Sequence, residues 1–315
     1  MLRRHALLSL CAQAFAQELP TIRVDVNLVN LPFSVRDTRG QLVLNLTKDD
    51  IEVLEDGVPQ AISHFSHGGA STLSLGLIAD MSGSQSDFLK DHRRDLKDFL
   101  KNVAQPRDHA FLLAFGNQLR LAAPLTAQME EITAGLERFQ KAKNYESIPT
   151  IGPKEWRVSG TAFYDAIFHA AEDILAKVDT GRRALIVFSD GEDNSSAHHM
   201  LDAIEAAQRA GVVVFCVRYT ELRKGKWSAR NKYGRAVMER LSRETGGLDL
   251  DATDADDLKT QFRQIADILR ASYDLGYSSS NPRDGSFRKI QLKAKRPGLV
   301  FRHKTGYFSR DIMQQ

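Results

Sequence analysis

The sequence predicts an α/β protein: a doubly wound, mostly parallel sheet with one antiparallel edge strand, inserted in a small antiparallel β-sandwich built from the N- and C-terminal strands. Three observations carry this. Apolar strand runs alternate with amphipathic helical stretches through the middle of the chain, a hairpin-length loop joins two of those runs, and both ends read as short strands without a helix of useful length. The first strand of the middle, Leu75 to Ala79, is a short apolar run that ends abruptly in Asp80-Met81-Ser82-Gly83-Ser84. Ser86 can then cap a helix whose apolar positions Leu89, Leu96, Phe99, Leu100 and Val103 recur at helical spacing, with His92 on the same stripe. A carboxylate and two hydroxyls therefore fall where a strand end meets a helix start, the position at which open α/β sheets bind ligands.

Next, Ala110 to Phe115 and Leu119 to Ala122 are joined only by Gly116-Asn117-Gln118, a loop that suits antiparallel strands alone. Helices are expected at Met129 to Lys141, Thr161 to Val178 and Ala197 to Ala210, the last stopped by Gly211. Another begins near Arg235 and is ended by Gly246-Gly247, and a last one runs from about Ala255 to Ser272. Between them, Ala184 to Phe188 is an apolar strand running into Ser189-Asp190-Gly191, a repeat of the first pattern.

Before the first helix, Ile22, Val24, Val26 and Leu28 alternate with polar residues, Leu31 to Arg36 follow, Asp37-Thr38-Arg39-Gly40 turns, Leu42-Val43-Leu44 resume, and Asp56-Gly57 turns again before Val58 to Phe65. Roughly 45 residues of short strands cannot hold a core of their own. Their expected partners are Tyr273 to Tyr277, Phe287 to Ala294 and Leu299 to Phe308 at the other end, separated by turns at Asn281 to Gly285 and Arg296-Pro297-Gly298. The expected division is 1–16 as a leader, 17–69 and 273–315 as two packed β segments, and 70–272 as the α/β unit, with the sandwich opposite the ligand rim.

With 315 residues, 42% of them apolar and 26% charged, the chain can bury a full core. A net charge of +3 is too mild for a dedicated nucleic-acid binder. Met1-Leu2-Arg3-Arg4-His5, the apolar stretch Ala6 to Ala12 and Ala14-Phe15-Ala16 before Gln17 have the layout of a secretory signal peptide, which predicts a secreted, periplasmic or envelope protein. Leu10 before Cys11 argues against lipidation, and no later stretch approaches the roughly 18 apolar residues of a membrane span. Cys216, inside Val212 to Val217, reads as an inert buried thiol, and one cysteine in a processed chain makes no internal disulfide.

An all-oxygen set from one carboxylate and two hydroxyls suits a hard cation such as Mg²⁺. No G-x-S-x-G elbow, H-E-x-x-H pair, P-loop or G-x-G-x-x-G is present. A phosphotransferase using Asp80 as nucleophile would place an acid two residues on, and Ser82 stands there. His198-His199 is set aside as a transition-metal pair, because adjacent side chains point to different faces of a helix. Two polar loops, 144–159 and 221–234, should rise on the ligand rim. The second carries Arg223, Lys224, Lys226, Arg230 and Lys232 against Glu221, with Trp227 and Tyr233, and reads either as a solvated basic loop or as a docking surface for an acidic partner.

Asp80-x-Ser82-x-Ser84, Thr161 at the start of the second helix stretch Val158 to Ala166, and Asp190 together resemble the metal-ion-dependent adhesion site (MIDAS) of the von Willebrand factor type A (VWFA) domain. The resemblance spans about residues 70–272. It implies a Rossmann-like fold in which Ser82, Ser84 and Thr161 contact a divalent cation, usually Mg²⁺ with Mn²⁺ or Ca²⁺ as alternatives, while Asp80 and Asp190 act directly or through water. One coordination position stays open for an Asp or Glu of a protein partner. The implied role is non-catalytic and adhesion-type. The alternatives are a spacer whose metal only stabilises loops and, behind it, a metal-dependent hydrolase or phosphotransferase. The stretches from Val35 to Phe65 and from Tyr273 to Phe308 further resemble the VWFA-related exported proteins of acidobacteria, which implies architecture and export but no biochemical role.

Overall fold

The computed structural model describes residues 28–67, 71–83, 85, 89–141, 148–153, 160–179, 181–219, 228–252 and 255–309, with the backbone alone at 89, 140, 141, 230 and 255–257. Four strands precede the first helix: β1 (Leu28–Asp37), β2 (Ile51–Glu55), β3 (Val58–Gln60) and β4 (Ile62–His67). The middle follows as β5 (Leu73–Asp80), α1 (Leu89–Val103), β6 (His109–Phe115), β7 (Leu119–Thr126), α2 (Met129–Lys141), β8 (Thr150–Ile151) and α3 (Phe163–His169). It continues with β9 (Arg182–Ser189), α4 (Met200–Arg209), β10 (Val212–Arg218), α5 (Ala229–Thr245), β11 (Asp249–Asp251) and α6 (Ala255–Arg270). Four strands close the chain: β12 (Tyr273–Ser278), β13 (Phe287–Ala294), β14 (Leu299–His303) and β15 (Gly306–Phe308).

Every residue of β5 is buried, as a central parallel strand covered on both faces requires. It lies inside a seven-stranded sheet of order β11-β10-β9-β5-β6-β7-β8. Apolar residues of α1, α2 and α6 cover one face and those of α3, α4 and α5 the other. Since β6 and β9 flank β5 on opposite sides, and α1 and α4 leave on opposite faces, a crevice opens between the C-terminal ends of β5 and β9. The hairpin β6–β7 is antiparallel as expected, but β7 is not the edge: Thr150-Ile151, inside the stretch read as a loop, pair with Leu119 and Arg120 and cover it.

The two ends of the chain interleave in two four-stranded sheets, ordered β14-β1-β12-β4 and β15-β13-β2-β3. Leu31, Phe33, Val35, Ile51, Val53, Tyr273, Leu275, Tyr277 and Ile290 from both sheets form one buried cluster. Phe33 stacks on Tyr273 with ring centroids 5.2 Å apart. Glu55 is fully buried, and its carboxylate accepts from Tyr277 Oη (2.7 Å), Tyr307 Oη (3.0 Å), Ser279 Oγ (2.5 Å) and Asn281 Nδ2 (2.6 Å), all from the C-terminal segment. Such a set of donors offsets the cost of burying the carboxylate. At the start of β9, Arg182 donates to the carbonyls of Leu269 (2.8 Å) and Ser272 (2.7 Å) and pairs with Asp274 (2.9 Å), tying the lower end of the large sheet to β12.

Several elements depart from the sequence reading. Leu42-Val43-Leu44 form only an isolated bridge to Arg36, because the Tyr273 hydroxyl takes the backbone groups a ladder would use, accepting from Leu46 N (3.0 Å) and donating to the Val43 carbonyl (2.9 Å). The last run splits in two, since β14 pairs with β1 while β15 crosses to β13. Helix α5 begins at Ala229, six residues before the expected start near Arg235: Ser228 Oγ caps it by accepting from Asn231 N (3.1 Å). Arg230, Lys232 and Tyr233 are therefore helical. The stretch read as one helix from Thr161 to Val178 is α-helical only to His169, then π from Ala170 to Ile174 and 3₁₀ from Leu175 to Lys177.

Cys216 is fully buried in β10, and burial pushes its thiol up to about 12. In the native protein it should stay unmodified by an alkylating reagent and react once the chain is denatured, as peptide mass mapping would report. Rapid native labelling at this residue would contradict the packing of β10.

Candidate metal-binding site

Two aspartates line the crevice. Asp80 closes β5, and Asp190 follows Ser189 at the end of the adjacent parallel strand β9, where Ala79 is in register with Phe188. The Asp80 carboxylate is fully buried and held at both oxygens, Oδ1 accepting from Ser82 N (2.9 Å) and Oδ2 from Ser189 Oγ (2.5 Å). Burial, with a smaller contribution from the neighbouring Asp190 charge, pushes it up to about 7 despite those bonds. Asp190, 7% exposed, accepts from Glu192 N (3.1 Å) and from Gln85 Nε2 (3.0 Å). Gln85 is oriented in turn by His92, whose Nε2 lies 3.1 Å from Gln85 Oε1. Burial keeps that imidazole neutral by lowering it to about 4, so a ring N–H can donate to the amide oxygen and turn the amide N–H towards Asp190.

The loop before α3 joins the same rim. Ala162 N donates to the Gly116 carbonyl (2.8 Å) just beyond β6, while Met81 N donates to the carbonyl of Phe115 (2.7 Å). Thr161, 4% exposed, donates its N–H to Asn194 Oδ1 (2.7 Å), and its carbonyl accepts from the N–H groups of Asn194 (3.1 Å) and Ser195 (3.2 Å). Gly160 sits at φ 140°, and a Cβ there would come within 2.9 Å of Asn194 Oδ1. Asp193 caps α3 from across the loop, its Oδ1 accepting from Phe163 N (2.9 Å), Tyr164 N (3.3 Å) and Ser196 Oγ (2.5 Å). The Thr161 and Asp190 segments are thus one hydrogen-bonded unit.

Of the residues singled out from sequence, Asp80, Ser82, Thr161 and Asp190 lie at this C-terminal rim, and Ser82 is 7% exposed. Ser84 lies outside the described residues, as do Arg223, Lys224, Lys226 and Trp227. Arg230 stands in the first turn of α5 with its side chain outside the described set. Ser189, Gln85, His92, Asp193 and Asn194 join the site without being singled out by the sequence. The polar run Asp193-Asn194-Ser195-Ser196 after a strand-end aspartate is the available signal for two of them. The donors at the rim are carboxylates and hydroxyls, a set that fits a hard divalent cation, which would offset two carboxylates buried side by side.

No family model matches the chain, and no curated protein matches it. Among solved structures it is similar to the BatB protein from Bacteroides thetaiotaomicron at 18% identity, over 62% of this chain and 98% of that one, with a TM-score of 0.46. It is also similar to a von Willebrand factor type A protein from Catenulispora acidiphila at 13% identity, over 91% of this chain and 75% of that one, TM-score 0.46. Proximal thread matrix protein 1 from the mussel byssus, in a form with a zinc-occupied MIDAS motif, matches at 11% identity over 69% of this chain and 50% of that one, TM-score 0.45. At these values none of the likenesses decides function. By its strand order and the three loops at its rim, the middle of the chain is VWFA-like.

Proposed function

We propose that the chain is an exported, non-catalytic interaction module that binds a protein partner through a divalent cation, Mg²⁺ or else Mn²⁺ or Ca²⁺. The observation that carries this reading is the pair of buried aspartates, Asp80 and Asp190, at the C-terminal ends of the adjacent strands β5 and β9, close enough for the charge of one to act on the other, with hydroxyl-bearing loops beside them. Ser82, Ser84 and Thr161 would contact the cation and Asp80 and Asp190 would orient its waters. The cation supplies a Lewis-acidic position that an incoming Asp or Glu can fill, while Gln85, Asn194 and Ser189 hold the protein's own groups in place. In this reading residues 1–16 are a leader, 17–69 and 273–315 form a β-sandwich away from the rim, and 70–272 form the binding unit. Among the described residues no helix is long and apolar enough to cross a membrane. The basic stretch Arg223, Lys224, Lys226, Trp227 and Arg230 would draw an acidic partner surface to the rim.

Calorimetric titration of the protein with Mg²⁺ should give one site that Asp80→Ala and Asp190→Ala each abolish. A partner captured from the secreted and envelope fraction in Mg²⁺ should be released by EDTA and lost with Thr161→Ala. Unchanged Mg²⁺ binding in both aspartate variants would remove the site. Capture that persists in EDTA would remove the metal-dependent interaction.

A further inference from the structure

A second cluster of metal-ligating side chains, sharing no residue with the oxygen-lined rim, lies on α3 and in the loop after β9. Asp165 and His169 are four residues apart on α3 and share a face of the helix. His198 joins them from the other side. Set aside as one of two adjacent helical histidines, it in fact precedes α4 and sits in the loop after β9, its ring stacked on Phe168 at 3.7 Å and edge-on to His169 at 5.3 Å. One nitrogen of each imidazole and one oxygen of Asp165 all lie within 4.8 Å of one another.

The surroundings are prepared as ligand shells are. Asp173 Oδ2 lies 2.7 Å from His169 Nδ1, which fixes the Nδ1–H tautomer and leaves the lone pair on Nε2. That Nε2 is buried and has no hydrogen-bond partner among the described residues. Gly152 passes close to it: a Cβ there would come within 2.8 Å of Nε2, so a larger residue would press on this atom. Asp165 is anchored by accepting from Ala197 N (2.9 Å) and His198 N (2.9 Å), and His198 Nδ1 lies 2.8 Å from its Oδ1. The helix changes from α to π directly after His169, a local distortion frequent at functional sites.

We propose that Asp165, His169 and His198 bind Zn²⁺, with His169 contributing Nε2, a water in the fourth position and Asp173 as the outer-shell partner of His169. Two imidazoles and a carboxylate favour zinc over magnesium, so this site and the all-oxygen rim differ in the ion they select. Tetrahedral zinc, with bonds of about 2.0–2.2 Å, holds its ligand atoms about 3.4 Å apart, a spacing inside the 4.8 Å within which these three atoms lie. The ion would clamp α3, which follows directly on the Thr161 loop, to the loop between β9 and α4, which begins at Asp190.

Metal-free full-length protein titrated with Co²⁺ should develop the visible spectrum of tetrahedral cobalt at one equivalent, and Zn²⁺ should bleach it. The spectrum should persist in Asp80→Ala, which removes a rim aspartate, and disappear in His169→Gln. Asp173→Asn, which keeps all three ligands, should weaken Zn²⁺ binding about 10–100-fold. Wild-type protein that gives no tetrahedral spectrum overturns the proposal. So does a folded His169→Gln that binds like wild type, or an Asp173→Asn with unchanged affinity.

Discussion

Removal of residues 28–67 should leave the strands at 273–308 unprotected against hydrogen exchange and the protein prone to aggregate, while β5 and β9 keep their protection. Strand β12 is paired on one side by β1 and on the other by β4, so the deletion strips both neighbours from it at once. β13 would lose β2, and β14 would lose β1. Tyr273, Leu275 and Tyr277, each at most 1% exposed, would lose their cover. At about 2 kcal/mol per large side chain, these three alone amount to roughly 6 kcal/mol, comparable to the net stability of a whole domain. Glu55 leaves with the deleted segment, so the hydroxyls of Tyr277 and Tyr307 also lose their acceptor. Exchange followed by mass spectrometry reads this directly, and a tail that stays protected would show that it does not depend on the N-terminal strands.

The features legible in the sequence are those with a strong local signature. An apolar run bounded by an aspartate marks β5 and β9, and a loop too short for a crossover marks the β6–β7 hairpin. Strand-end placement brings Asp80 and Asp190 to the rim because parallel neighbours end at the same level. Other features depend on partners remote in sequence. The Tyr273 hydroxyl, 230 residues from Val43, dissolves an expected strand. Gln85 meets Asp190 across 105 residues and Asp165 meets His198 across 33. Helical spacing alone starts α4 at Ala197 and so misplaces His198; with the helix starting at Met200, His198 lies in the preceding loop and reaches α3. Gly234 has the local signature of a loop residue and delays the expected start of α5, whereas it is a contact residue inside the helix.

That contact makes Gly234→Ala the point substitution expected to have the largest effect on the rim. A Cβ at 234 would fall 3.2 Å from the Asp190 carbonyl carbon and closer still to its oxygen. The facing residue, Gly191, is held at φ 79°, and a Cβ there would lie 2.9 Å from the Gly234 carbonyl carbon and 2.7 Å from Met238 Cγ. Helix α5 therefore crosses the end of β9 backbone to backbone, glycine against glycine. Alanine in a helix interior is normally favoured over glycine by about 1 kcal/mol. Here it meets main chain that cannot swing aside, and overpacking of that kind costs about 1–3 kcal/mol or more. The steric term should win, lowering the melting temperature by roughly 4–8 °C for a net loss of about 2 kcal/mol in a unit of this size. Because the obstructed atom belongs to Asp190, Mg²⁺ affinity should fall with it, by about tenfold if the displaced carboxylate loses about 1.4 kcal/mol of its interaction. Gly83→Ala is the matched control in the neighbouring loop: among the described residues a Cβ there would meet nothing within 4 Å and its φ is not positive, so stability should stay within about 0.5 kcal/mol. Calorimetric melting of the two variants separates the cases, and a Gly234→Ala protein that melts higher than wild type would show that α5 does not press on the end of β9.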